Sequence, residues 1–276
     1  MTKLKFTKMQ GLGNDFVILD YVEYQKSSLK DGDLALRLCN RNFGIGADGL
    51  IIVNPNAKET DIGWFFFNSD GTIAQMCGNG IRCFARYVYE KGLVNKKKFS
   101  VDTKAGVIIP EILDDKRVKV NMSKPVLEPK KIPVLSEKNL NFEIPLKERT
   151  FIGNAVSMGN PHCVIMVNED TKALAKTYGS EIEHHPLFPE KVNVEFIKIL
   201  NEHEMILDVW ERGCGITLAC GTGACASTVA AILNGRCKDI VKVNLPGGAL
   251  TIEWDGVNDI YMTGSAEFVF TGEIDV

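Results

Sequence analysis

The sequence of 276 residues lacks any run of the roughly 20 apolar residues that a membrane-spanning helix needs. Its first segment, Met1–Asp15, also lacks the apolar core of a signal peptide. The net charge is only -3 at pH 7, which gives no general attraction to phosphate backbones or anionic lipid. We therefore expect a cytoplasmic protein that binds neither nucleic acid nor a membrane.

The eight cysteines include no C-x-x-C pair, because the closest spacings are five and six residues. This absence argues against a structural zinc site and against a thioredoxin-like dithiol. Reduced thiols are expected in the cytoplasm. Five cysteines are interpreted as small buried hydrophobic residues: Cys39, Cys83, Cys163, Cys225 and Cys237. The role of Cys214, in a glycine-rich turn, stays open.

The composition, with 45% hydrophobic and 24% charged residues, is that of a globular protein large enough for two modest domains. Short apolar runs predict strands in both halves, and longer periodic patterns predict helices at Asp33–Cys39, Ile81–Glu90 and about 221–233. The turn Ser69-Asp70-Gly71 predicts a hairpin of Gly63–Asn68 with Thr72–Met76. The stretch 123–150, rich in proline, lysine and glutamate, predicts a linker or a peripheral crossing.

A short pattern occurs twice in the sequence. Cys77-Gly78-Asn79-Gly80 and Cys220-Gly221-Thr222-Gly223 each precede an apolar helix. A polar residue precedes each cysteine by nine positions, Asn68 in the first half and Glu211 in the second. The matching order predicts a duplication of one α+β unit. Two equivalent halves commonly form a ligand cleft between them.

A cysteine just before a helix lies among unpaired backbone N–H groups at the positive end of the helix dipole. We expect this position to lower the thiol pKa, and the same N–H groups can bind a carboxylate. Two such cysteines can act on opposite faces of an α-carbon, one removing a proton and the other delivering one. This chemistry needs no metal and no cofactor. A cysteine hydrolase that uses His162 is an alternative, but it leaves one cysteine turn unexplained.

The chain resembles the diaminopimelate epimerase family over nearly its whole length. The resemblance rests on 11–16 (GLGNDF), 44–48 (GIGAD), 67–71 (FNSDG), 77–83 (CGNGIRC), 159–163 (GNPHC), 211–213 (ERG) and 219–225 (ACGTGAC). It implies an α+β fold of two pseudo-symmetric domains, each a β-barrel-like sheet around a central helix, with the active site in the cleft between them. The implied domains are 1–121 plus 266–276, carrying Cys77, and 122–265, carrying Cys220.

The resemblance also implies a reaction. The family interconverts LL- and meso-diaminopimelate without pyridoxal phosphate, on the route to lysine and peptidoglycan, and it is typically a homodimer. Cys77 and Cys220 would be the acid/base pair, with His162 and Glu211 tuning their pKa values. The implied substrate-binding residues are Asn14, Asn68, Gly78, Asn79, Asn160, Asn193, Glu211, Arg212, Gly221 and Thr222.

Two positions depart from the family pattern. Gly49 stands where many members carry a glutamine, and Cys214-Gly215-Ile216-Thr217 stands where Ala-Gly-Glu-Thr is frequent. These departures leave the substrate range open, so a racemase of another amino acid such as histidine or proline is an alternative. A non-catalytic amino-acid binding protein is a second alternative, but it should lack one or both turn cysteines. Taken singly, Asn14 and Asn160 could be turn residues, and Arg212 could pair with Glu211 at the surface.

Overall fold

A computed structural model describes residues 2–74 and 76–276 of the chain. The α-helices are α1 (Tyr21–Lys26), α2 (Asp31–Cys39), α3 (Gly78–Glu90), α4 (Thr171–Glu183) and α5 (Gly221–Leu233), and a turn of 3-10 helix covers Pro129–Lys131. The strands are β1 (Lys3–Gly11), β2 (Asn14–Leu19), β3 (Gly49–Asn54), β4 (Ile62–Asn68), β5 (Val101–Thr103), β6 (Gly106–Ile108), β7 (Pro110–Ile112), β8 (Val118–Asn121), β9 (Phe142–Pro145), β10 (Thr150–Ser157), β11 (Pro161–Met166), β12 (Asn193–Asn201), β13 (Glu204–Glu211), β14 (Gly215–Ile216), β15 (Ile240–Leu245), β16 (Gly248–Glu253), β17 (Tyr261–Gly264) and β18 (Glu267–Asp275). Within the described ranges, no helix is both long and apolar enough to cross a bilayer.

The chain divides into two compact units. Unit 1 contains the residues up to Val120 together with Gly264–Val276, and unit 2 contains Asn121–Thr263. Strands dominate both units, and each has helices between its strands. The predicted α+β class is confirmed.

The sheet of unit 1 runs in the order β18-β1-β2-β3-β4-β5-β6. β2 and β3 are parallel, and the chain between them forms α1 and α2; β4 and β5 are also parallel, with α3 between them. The β1/β2, β3/β4 and β5/β6 pairs are antiparallel. In β3, Leu50 and Ile52 pack with α2, while Ile51 and Val53 are buried on the opposite face. Burial on both faces explains the continuous apolar run in this strand.

Unit 2 repeats this sequence of connections. Its sheet runs β17-β16-β15-β13-β12-β11-β10-β9, with β14 beside β13. The parallel pairs are β11/β12, with α4 between them in the chain, and β13/β15, with α5 between them. Antiparallel pairing joins β10 to β11, β12 to β13 and β15 to β16. Each unit therefore places one helix, α3 or α5, at the same point of the same topology, as the repeated motif predicts.

Each of these two helices lies against several strands of its own unit. α5 packs against β10, β11, β12, β13, β15 and β16, and nearly all of its residues are buried. Its alanine, glycine, serine and threonine side chains are small, which lets the strands approach closely on every side. α3 packs against β1, β2, β3 and β7. It ends before Gly92, whose φ of +70° suits glycine at a helix C-terminus.

The local structure differs from the predictions at three places. The stretch 123–150 is not a linker, because β9 pairs with β10 and Ile132, Val134, Phe142 and Ile144 belong to the core of unit 2. Charged and proline residues alternate there with buried apolar residues. The average composition therefore suggested an exposed segment although single positions belong to the core. The helix α4, whose N-cap is Asp170, was not predicted. The predicted strand Thr72–Met76 includes Gln75, which lies outside the described residues; Ile73 forms only an isolated bridge with Phe67.

Candidate functional site

Cys77 and Cys220 occupy the same structural position in the two units. Each is the N-cap of the central helix, with extended backbone angles. The Gly80 N–H donates to Cys77 Sγ at 3.4 Å, and the Gly223 N–H donates to Cys220 Sγ at 3.4 Å. Serine, threonine, aspartate or asparagine usually fills this capping role. Both sulfur atoms are therefore fixed at a helix N-terminus.

The glycine three residues after Cys220 is required by close packing. A Cβ atom on Gly223 would lie 2.8 Å from Glu195 Oε1 and 3.2 Å from Cys220 Sγ. Both distances are too short for a side chain to be added without moving these groups. Gly223 thus lets the start of α5 lie against the thiol and a buried carboxyl group.

Two amides lie beside Cys77, which is half-buried. Cys77 Sγ lies 3.5 Å from Asn14 Oδ1, and Asn79 Nδ2 donates to the same oxygen at 3.3 Å. These predicted site residues are therefore brought together in unit 1. Asn68 is placed differently, because its Nδ2 donates to Thr72 Oγ1 at 2.9 Å within the turn after β4.

Cys220 begins a second series of polar contacts. Its Sγ lies 3.5 Å from Thr222 Oγ1, to which Asn160 Nδ2 donates at 3.4 Å. Asn160 Oδ1 in turn lies 3.0 Å from His162 Nε2. β11 carries His162 into the interior, where its side chain is fully buried. Unit 2 thus assembles four of the predicted site residues.

The series ends at Glu195, a residue that the sequence reasoning missed. Glu195 Oε1 lies 2.6 Å from His162 Nδ1, and both side chains are fully buried. Glu195 Oε2 has no hydrogen-bond partner within the described residues. Burial raises the pKa of Glu195, while the neighbouring His162 acts to lower it. A glutamate between Val194 and Phe196 in an apolar strand was the available signal, because charged residues are rarely fully buried without a partner.

The expected thiolate character is wrong for Cys220. Burial raises the pKa of this thiol well above its usual value of 9.0, and the negative charges of Glu211 and Glu195 raise it further. Hydrogen bonds from Thr222 and Gly223 act in the opposite direction but do not offset the burial. Desolvation of the charged form outweighs the favourable helix terminus. The surroundings of Cys220 therefore favour its neutral thiol over the thiolate.

The predicted site residues at the start of β12 and the end of β13 form hydrogen bonds with other groups of unit 2. Asn193 is buried, and its amide donates to the Pro161 carbonyl at 2.8 Å and accepts from the Arg212 N–H at 2.9 Å. The Arg212 guanidinium donates to the Glu190 carbonyl at 3.1 Å, and Glu211 accepts from the Thr217 hydroxyl. Asn193 therefore fixes the backbone at Arg212.

The remaining cysteines separate into buried and exposed groups. Cys39, Cys83, Cys163, Cys225 and Cys237 are buried. Burial raises the pKa of the Cys83 thiol to about 12, which suits a packing residue. Cys214 is exposed, as is Ile216. At the other departure from the family pattern, a Cβ on Gly49 would lie 2.6 Å from the Phe66 ring, so an aromatic side chain occupies that space.

Known proteins resemble this chain in sequence. A family model described as diaminopimelate epimerase matches residues 6–128 and 154–269. The diaminopimelate epimerase of Halothermothrix orenii is 50% identical over 281 residues, which cover 99% of this chain and 98% of that protein. The diaminopimelate epimerase of Carboxydothermus hydrogenoformans is 49% identical over 272 residues, covering 98% of this chain and 99% of that protein.

Solved structures resemble it in fold. A PhzF-family phenazine biosynthesis protein of Bacillus anthracis has a TM-score of 0.70 at 14% identity and covers 100% of both chains. A hydroxyproline epimerase from Agrobacterium vitis has a TM-score of 0.67 at 13% identity, covering 99% of this chain and 94% of that one. At such low identity these matches show a common fold only.

Proposed function

Because the chain belongs to the diaminopimelate epimerase family, we propose that it interconverts LL- and meso-diaminopimelate by proton transfer through Cys77 and Cys220. The observation that carries this proposal is the equivalent placement of the two thiols, each capping the central helix of a unit with the same topology. Two equivalent thiols suit a reaction in which a carbon centre loses a proton on one face and gains one on the other.

Each turnover moves protons without any other change in the substrate. One cysteine acts as thiolate and removes the α-proton, and its partner acts as thiol and delivers a proton to the opposite face. The pair then carries the same number of protons in exchanged positions. The two cysteines therefore exchange the roles of base and acid between the LL and meso substrates.

The helix starts are the proposed sites for the reacting carboxylate. Loss of the α-proton places negative charge on the α-carbon and its carboxylate, so hydrogen-bond donors there stabilise the transition state. The proposed donors are the backbone groups at the start of α3, Gly78 and Asn79, and at the start of α5, Gly221 and Thr222. This arrangement needs no cofactor and no metal for the proton transfers.

The distal amino and carboxylate groups of diaminopimelate require further polar partners. The proposed partners are Asn14, Asn68, Asn160, Asn193, Glu211 and Arg212. The Arg212 guanidinium supplies a cation for the distal carboxylate, and Glu211 supplies an anion for the distal ammonium. Asn193 contributes by holding the Arg212 backbone through its amide. We further propose that His162 tunes the Cys220 thiol through Asn160 and Thr222.

The test is incorporation of deuterium at the α-carbon of LL-diaminopimelate in D₂O, followed by NMR without added cofactor. The wild type should form the meso isomer with solvent deuterium, and Cys77→Ala and Cys220→Ala should both lose this activity. Cys237→Ala is the matched control, since it removes a buried cysteine outside the two turns. Full inversion by either turn variant would refute the two-thiol mechanism.

The same assay addresses the alternative substrates. Exchange with histidine or proline, but not with diaminopimelate, would retain the mechanism and replace the substrate. The family resemblance also favours a homodimer in the cytoplasm. Sedimentation equilibrium would test the dimer, because a single species at the 30.5 kDa of one chain would contradict it.

A further inference from the structure

A directed series of hydrogen bonds passes beside Cys77 in unit 1. Arg82 Nη2 donates to Asn79 Oδ1 at 2.8 Å, and Asn79 Nδ2 donates to Asn14 Oδ1 at 3.3 Å. The series continues with Asn14 Nδ2, which donates to Asp48 Oδ2 at 2.6 Å. It therefore begins at a cation and ends at an anion. We call these four side chains the amide relay.

The charged ends determine how both amides are oriented. A guanidinium has donors only, so the oxygen of Asn79 must face Arg82. An ionised carboxylate has acceptors only, so the NH₂ group of Asn14 must face Asp48. Asparagine oxygen and nitrogen are otherwise nearly interchangeable in shape, and neutral partners at both ends would permit the reverse orientation of both amides. The relay thus turns the oxygen of the Asn14 amide, rather than its NH₂ group, toward the Cys77 thiol.

We propose that Asp48 and Arg82 are positioning residues that hold the Asn14 carbonyl oxygen toward Cys77, so that this cysteine rests as a hydrogen-bond-donating thiol. The 3.5 Å contact between Cys77 Sγ and Asn14 Oδ1 favours S–H over S⁻, because a thiolate would face an acceptor. This inference rests on the proposed function, in which Cys77 acts as a base. The amide relay would then set how readily Cys77 loses its proton.

Both ends of the relay are held firmly. Arg82 is fully buried, and it also donates to the Gly78 carbonyl and the Ser265 carbonyl, each at 3.0 Å. A residue held by several backbone oxygens cannot easily rotate away from Asn79. The buried end of the relay is therefore a fixed donor.

The Asp48 end belongs to a cluster of charges. Asp48 Oδ1 pairs with Arg41 at 2.8 Å, and its Oδ2 also accepts from the Asp15 N–H at 3.1 Å. Asp15 pairs in turn with Lys8 at 2.6 Å and with Arg41 at 2.8 Å. Parallel pairing of β2 with β3 brings these residues together, since Asp48 immediately precedes β3 and Asn14 begins β2.

The cap in unit 2 has a different neighbour. Cys220 Sγ faces the hydroxyl of Thr222, which can donate or accept. Asn160 approaches this hydroxyl with its NH₂ group at 3.4 Å. A hydroxyl adapts to thiol and thiolate by rotation, whereas Asn14 in the amide relay cannot adapt without turning over. The fixed acceptor is thus a feature of Cys77.

The test measures the ionisation of Cys77 without substrate. Wild type and Asp48→Asn are alkylated with iodoacetamide across a pH series, and the rate at Cys77 is read by peptide mass spectrometry. A neutral amide at position 48 binds the Asn14 NH₂ group less strongly than a carboxylate, so the Asn14 oxygen is held less firmly toward the sulfur and opposes the thiolate less. The midpoint should shift to lower pH by about half to one unit. Asp48 is partly exposed and asparagine is isosteric, so folding should be retained; Asp48→Ser is the second variant.

A double-mutant cycle separates this effect from simple loss of a negative charge. Removal of the Asp48 charge alone would also favour the thiolate, but it would do so equally when position 14 is alanine. The proposal expects the Asp48→Asn shift to disappear in the Asn14→Ala background. A shift that persists there, or no shift in the single variant, would overturn it.

Arg41→Gln is the control for general loosening of the charge cluster. It removes the ion pairs of Arg41 with Asp15 and Asp48 but leaves the Asp48 carboxylate facing Asn14. It should not lower the midpoint, and a downward shift equal to that of Asp48→Asn would overturn the proposal. Because alkylation uses no diaminopimelate, absence of exchange with that substrate would reject the proposed function while leaving this result intact.

Discussion

The Glu195–His162 pair predicts a large difference between two substitutions at one buried position. Glu195 Oε1 contacts His162 Nδ1 at 2.6 Å, and neither side chain is exposed. In Glu195→Gln, the amide NH₂ can face Nδ1 while the amide oxygen takes the place of Oε2, which has no partner among the described residues. In Glu195→Ala, the imidazole loses its partner and a cavity opens in the core of unit 2.

The structure gives the expected magnitudes. Glu195→Ala leaves a buried imidazole without its partner and opens a cavity, which together cost about 3–5 kcal/mol, so the midpoint of thermal unfolding should fall by roughly 6–20 °C. Glu195→Gln keeps a hydrogen bond at this position and should cost about 1 kcal/mol, so the midpoint should fall by roughly 2–4 °C. Differential scanning calorimetry at pH 7 measures both.

An exposed pair of the same chemistry provides the control. Glu202 and His203 lie 3.6 Å apart at the surface, so Glu202→Ala should shift the midpoint by no more than about 2 °C. Equal midpoints for Glu195→Ala and Glu195→Gln would refute the reasoning, because the hydrogen bond to His162 would then contribute nothing. A drop for Glu202→Ala as large as that for Glu195→Ala would refute the argument from burial.

Two further predictions concern a thiol and a glycine. Burial raises the pKa of Cys220, so the folded protein holds this proton more tightly than the unfolded chain; its stabilising contribution is complete below the usual thiol pKa of 9.0 and is lost as pH rises above it. Iodoacetamide should therefore modify Cys220 slowly at pH 7, and rapid modification there would contradict the assignment. Gly49→Ala should reduce the free energy of unfolding in urea by about 1–3 kcal/mol, because its Cβ would lie 2.6 Å from the Phe66 ring and 2.9 Å from the Phe67 carbonyl oxygen. An unchanged urea midpoint would contradict this.

Much of the fold and of the candidate site could be predicted because it depends on local sequence. A Cys-Gly-X-Gly turn before an apolar helix specifies an N-cap, and the structure places Cys77 and Cys220 there. The repeated spacing around them predicted a repeated topology, and both sheets have the same order of parallel and antiparallel pairs. Local capping geometry and motif order need no knowledge of the distant chain.

The missed features depend on contacts between distant residues. Glu195 could not be recognised as a site residue from sequence, because it lies beside His162 only through the parallel pairing of β11 with β12. The raised pKa of Cys220 was also missed, because a helix N-terminus can be recognised in sequence but burial of the thiol cannot. Likewise, β9 is a core strand because β10 pairs with it. Tertiary burial outweighed the local signal in each case.

The divergence between the two repeats is itself an argument for a two-base reaction. The same topology and the same cap hold both sulfurs, so an unmodified duplication would give two thiols with the same proton affinity. Instead, Cys77 faces the Asn14 oxygen of the amide relay, which ends at the partly exposed Asp48, whereas Cys220 lies in the interior near Glu195. Environments that separate the proton affinities of two like groups let one act as acid while the other acts as base. The duplicated caps fix where the sulfurs lie, and under the proposed mechanism the residues that differ around them set how tightly each sulfur holds its proton.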